Sequence, residues 1–174
     1  MSYTVTGAMA PQVSFQVTQS SGFISGQLIP ITFSGNGLKA NYGSGSAADK
    51  IAKISAFTLT FVASTPQTID LTSLPDVFGN AAAVSFGNVH TVAIRMNSTT
   101  DGASITLTPN ASNGWDKMGL GLILPAASTT NPAGAFFVIS APNTTGFVVD
   151  STHKSLDLTP SAHAFTVDFE LTGY

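Results

Sequence analysis

Cysteine is absent from the 174 residues, and charge is scarce: Lys, Arg, Asp and Glu make up 9% of the chain, against about 25% in an ordinary soluble domain. The first absence excludes disulfides, zinc-thiolate centres and thiol nucleophiles. The second leaves six cations, Lys39, Lys50, Lys53, Arg95, Lys117 and Lys154. They are too scattered to form the basic patch that holds nucleic-acid phosphates. No apolar run approaches the ~18 residues of a membrane span. Met1-Ser-Tyr-Thr-Val-Thr6 lacks the basic-then-apolar order of a secretory leader. Assembly in the cytoplasm is therefore expected, with neither membrane nor nucleic acid as a partner. Catalytic signatures are missing too: there is no Gly-x-Ser-x-Gly elbow and no phosphate loop ending in Gly-Lys-Ser/Thr.

Hydrophobic residues stand at 43%, too many for a disordered chain. A chain of this length is most simply one domain, and such a domain buries roughly 70% of the surface its unfolded form exposes. No cofactor is needed to explain its stability. Ser, Thr, Asn, Gln and Gly supply the polarity. Such neutral surfaces suit β-architectures and close-packed assemblies, where fewer charges must be desolvated at a contact.

Period-2 alternation recurs along the chain and predicts strands. Val13-Ser-Phe-Gln-Val17 and Gln27 to Phe33 are the first two. Ala47 to Lys53 reads either as one or two helical turns or as the start of the next strand. Phe57, Leu59 and Phe61 oppose Thr58 and Thr60, and Thr72 to Phe78 resembles a capped helical turn. Val92, Ile94 and Met96 oppose Thr91 and Arg95, while Ile105 and Leu107 oppose Ser104, Thr106 and Thr108. Joined through Ser98-Thr-Thr-Asp-Gly102, these two runs predict an antiparallel hairpin within residues 88–124. Ala135 to Ser140 reads as a buried strand, and Phe165, Val167, Phe169 and Leu171 give the clearest alternation of all. Nine or ten short strands with turn punctuation predict an all-β fold, an antiparallel jelly-roll-like sandwich. Residues 54–174 form its core and residues 1–53 an arm or added strands. Phe57, Phe61, Ile94, Ile105, Phe137, Phe165 and Phe169 are expected in the interior.

Few residues invite a chemical reading. His90, His153 and His163 lack metal-binding spacing and are expected at the surface or at strand ends, with His90 sharing the parity of Val92. Asp168 and Glu170 lie on one strand face about 7 Å apart, a separation open to a glycosidase pair. The commoner meaning is a solvated face that resists edge pairing. Gly43-Ser-Gly-Ser-Ala-Ala48 echoes a dinucleotide fingerprint but lacks the βαβ setting. Asn97, Asn110 and Asn143 open glycosylation sequons that a chain rich in Asn, Ser and Thr contains by chance. Trp115, the single tryptophan, reads as an end plug, an interface anchor or a sugar-stacking platform. No catalytic residue, metal ligand or cofactor is expected. Trp115, Tyr42 and Lys117 are the candidate interface residues.

Residues 68–174 resemble a group of small virion proteins of tailed bacteriophages. The resemblance rests on Ile69-Asp-Leu-Thr-Ser-Leu74, Phe86-Gly-Asn-Val-His-Thr-Val-Ala-Ile-Arg-Met-Asn-Ser-Thr99, Asn113-Gly-Trp115, Leu124-Pro-Ala126 and the final strand Phe165 to Leu171. Residues 1–53 depart from that pattern. The resemblance implies a non-enzymatic β-sandwich of the virion: a capsid decoration or cement protein, a homo-oligomer such as a trimer, bound to the major capsid protein. The alternatives are a tail, baseplate or glycan-binding module, or an extracellular filament or surface-layer subunit.

Overall fold

A computed structural model describes residues 43–44, 50–77, 79–119, 121–127, 135–141 and 145–174, all within a compact unit spanning Tyr42–Tyr174. The strands expected near residues 13–17 and 27–33, Tyr42 itself and residues 128–134 lie outside the described residues. The strands are β1 (Gly43–Ser44), β2 (Lys50–Ile51), β3 (Lys53–Phe61), β4 (Gln67–Asp70), β5 (Asn88–Asn97) and β6 (Ser104–Pro109). They continue with β7 (Leu122–Pro125), β8 (Phe136–Ser140), β9 (Phe147–Val148), β10 (Ser155–Pro160) and β11 (Phe165–Gly173). Among the described residues there is no helix. Lys50 onward is therefore strand, and Thr72 to Val77 is a turn in which Leu74 bridges Val84. That exchange gives Leu74 and Val84 two backbone hydrogen bonds that one helical turn, being too short to nucleate, does not match.

Nine strands form two antiparallel sheets. One runs β3-β11-β5-β8, with β9 also on β5, and the other runs β4-β10-β6-β7. β8 and β9 pair with successive stretches of β5, so they read as one interrupted strand. With β8 and β9 taken as one, the chain changes sheet at each step except β6 to β7. Eight strands wound in this way make a jelly roll.

The expected hairpin within residues 88–124 is not formed. β5 pairs with β11, β8 and β9 in the first sheet, whereas β6 pairs with β10 and β7 in the second. The segment around Gly102, whose φ is +75°, is a bridge between sheets. Alternation states which side of a strand is apolar, and it does not choose the neighbour. Ile94 and Ile105, 1% and 0% exposed, meet the same core from opposite walls.

That core gathers Phe61, Leu71, Ile94, Met96, Ile105, Leu107, Leu158, Val167 and Phe169, all buried. Each fully buried side chain of this size contributes about 1.5–3 kcal/mol. Phe57 stacks on Phe169, with ring centroids 5.3 Å apart, and Phe61 meets Phe165 at 5.4 Å. Both are cross-strand pairs, which places two aromatic rungs across the β3–β11 ladder.

Candidate functional site

β11 is flanked on both sides, by β3 and β5. The outward residues Asp168 and Glu170 therefore do not guard a sheet edge, as their charge suggested. Asp168 sits opposite Thr58 on β3 and Arg95 on β5. Its Oδ1 accepts from Thr58 Oγ1 at 2.7 Å, and its Oδ2 accepts from Arg95 at 2.8 Å and Asn97 Nδ2 at 2.6 Å. Burial alone would raise this carboxyl, but the bonds from Asn97, Thr58 and Arg95 outweigh it and hold the group below the usual range. Asp157 plays the same part on the other sheet, accepting from Thr68 and from Asn110 Nδ2. The amide nitrogens of Asn97 and Asn110 thus donate within the fold. Asn143 lies outside the described residues.

Trp115 is 0% exposed. Its backbone N–H donates to Ser155 O at 2.9 Å, and Nε1 donates to Val148 O at 3.0 Å. Phe147 packs edge-on, with centroids 5.8 Å apart. Through its backbone and its ring, Trp115 ties the start of β10 in one sheet to β9 in the other and plugs that end of the sandwich. Gly114 permits the approach, because a Cβ there would run into Pro109 and the backbone of Asn110. The buried ring fits the end-plug reading of Trp115, whereas stacking on a sugar or on a neighbouring subunit needs an exposed ring. Lys117 is exposed and pairs with Asp116 at 2.7 Å, where the hydrogen bond it donates is the leading cause that holds the Asp116 carboxyl low.

His90 departs from expectation as well. It is 0% exposed, its Nδ1 lies 3.1 Å from Ala141 O, and its ring lies 5.7 Å from that of Tyr174. It fills the sandwich near the C-terminus, as its shared parity with Val92 allowed. His153 is exposed in a turn built on Asp150, and His163 is half-buried. Among the described residues no three His, Cys, Asp or Glu side chains converge as metal ligands. A shallow, open hollow of about 440 Å³ lined by Asn97, Ser98, Thr99, Thr100, Ala164 and Phe165 holds no acid, base or nucleophile arrangement.

The apolar surface lies elsewhere. Among the described residues β7 and β8 are the last strands of their sheets, and β7 packs beneath β5, the neighbour of β8. Both edges therefore open on one side of the sandwich. Ile123, Phe136 and Val148 are 59%, 49% and 48% exposed and stand on β7, β8 and β9. The buried strand expected over residues 135–140 is thus an edge strand among the described residues, with Phe136 outward and Ala135, Phe137 and Ile139 packed against the core. Sheet edges that carry exposed apolar side chains are sites for association. The sequence hid it, because Gly119-Leu-Gly-Leu-Ile-Leu-Pro125 is apolar at successive positions and its parity marks no outer face.

No protein-family model matches the chain, and no curated protein matches it either.

Proposed function

We propose that the chain is a non-enzymatic structural protein of a tailed-bacteriophage virion, a capsid decoration or cement protein acting as a homo-oligomer on the major capsid protein. The observation that carries the reading is the apolar edge formed by β7, β8 and β9. Its exposed Ile123, Phe136 and Val148 are of little use to a lone soluble domain and are covered when copies pack together or against a shell. A jelly roll is a framework found in capsid proteins, lectins and cupins, so the fold is compatible with this role without dictating it. The charge content of 9% favours it further, because contacts between neutral polar surfaces need little desolvation. Many weak contacts repeated over a shell add by avidity. Lectin-like glycan binding loses its proposed platform with the burial of Trp115.

Mass spectrometry of density-banded particles from the phage whose genome carries the chain tests the reading. The expected result is the chain in multiple copies per particle, released together with head fragments. Its absence from intact particles would sink the proposal.

A further inference from the structure

The five-stranded sheet turns its outer face away from the core, and β11 contributes Thr166, Asp168, Glu170 and Thr172 to that face. Glu170 is 9% exposed and Thr172 is 0% exposed. Directly opposite Glu170 stand Ala56 on β3 and Ala93 on β5. Neither methyl group offers a donor to the carboxyl. Glu170 Oε2 makes no hydrogen bond, nor does Thr172 Oγ1 beside it on the same face. A carboxylate with one oxygen so placed has lost water there and gained no partner, so the neutral acid is the form that fits. Burial accordingly lifts the Glu170 carboxyl to about 7.

The charged neighbours do not relieve it. Among the described residues this face carries two other charged side chains, Asp168 on β11 and Arg95 on β5, and they are bonded to each other. β3 presents Ile54, Ala56, Thr58 and Thr60, and β8 presents Phe136, Val138 and Ser140; none of these titrates. We propose that Glu170 is a pH-sensitive latch in this sheet. Neutral, it lies buried between Ala56 and Ala93; ionised, it turns to solvent and loosens the pairing of β11 with β3 and β5. The folded chain holds this proton more tightly than the unfolded one. The contribution of Glu170 to stability is therefore fully present below the ordinary carboxyl value of 4.5, declines as pH rises, and is lost above about 7.

The test follows unfolding midpoints of the wild type and of Glu170→Gln from pH 4.5 to 8.5, alongside a ¹³C titration of the Glu170 carboxyl in the wild type. The folded-to-unfolded ratio of the wild type is expected to fall at least ~10-fold more than that of the Gln variant across the range. The carboxyl is expected to titrate near neutrality, with faster amide exchange in β11 above it. Parallel pH profiles for the two proteins, or a carboxyl that titrates in the ordinary range, would overturn the latch. If Glu170→Gln fails to fold, the carboxyl titration alone decides.

Discussion

Asp168 and Glu170 stand two residues apart on one face of β11, yet their carboxyl groups are driven in opposite directions. Asp168 faces the donors Thr58 and Arg95 across the ladders, and Glu170 faces Ala56 and Ala93. The first is held below its usual range by hydrogen bonds and the second is raised to about 7 by burial. Carboxyls forced apart in this way can mark an acid–base pair. Here the split has a structural cause in the cross-strand neighbours.

Asp168→Ala removes an acceptor shared by three strands and leaves Thr58 and Asn97 without it. A loss of about 1–2 kcal/mol is expected. Arg95→Ala removes the exposed end of the same network and is expected to cost less than ~0.5 kcal/mol, because Arg95 is 62% exposed. Urea unfolding of both variants checks the order.

Acid should weaken the fold through Asp70 as well. Burial pushes its carboxyl up, but bonds from Lys154 at 2.6 Å and from Thr72 prevail and leave it below the usual range. A group whose folded value is depressed stabilises above its unfolded value, and that stability is lost as pH falls through the folded one. Asp70→Asn is expected to flatten the acid limb of a Tm–pH profile below about pH 4. An unchanged limb would count against the Asp70–Lys154 bond.

Trp115→Ala empties the end of the sandwich and is expected to destabilise by about 3–5 kcal/mol. Trp115→Phe keeps most of the volume but strands the Val148 carbonyl, at a cost of about 1–3 kcal/mol. The wild-type indole, being 0% exposed, should fluoresce at short wavelength and shift red on unfolding. A red-shifted spectrum in the native protein would contradict the plug.

Gly146 has φ of +65°, and a Cβ there would lie 2.7 Å from Val89 O. Gly146→Ala is expected to cost at least ~1 kcal/mol by denaturant unfolding, through strain in the link between β8 and β9.

Strand positions and the inner faces were legible in the sequence because burial on one side of a strand imposes alternation. Phe165, Val167, Phe169 and Leu171 show it most plainly. Pairing was not legible: Val92 to Met96 and Ile105 to Leu107 alternate as a hairpin would, and the sheets separate them. His90 could be placed by parity with Val92, whereas the outward turn of Phe136 could not, since Ala135 to Ile139 is apolar throughout. Glu170 was visible as an outward acid. Its surroundings were not, because Ala56 and Ala93 become its neighbours only through long-range register.

The β7–β8–β9 edge is proposed to join this chain to a shell. Co-sedimentation with undecorated heads measures it, comparing the wild type with an Ile123→Lys, Phe136→Lys double variant. Both sites are about half exposed or more, so the variant should keep its Tm within a few degrees. Saturable binding and added head stability are expected from the wild type, and neither from the double variant. A wild type that stays in the supernatant, or a double variant that binds as well as the wild type, would contradict the account.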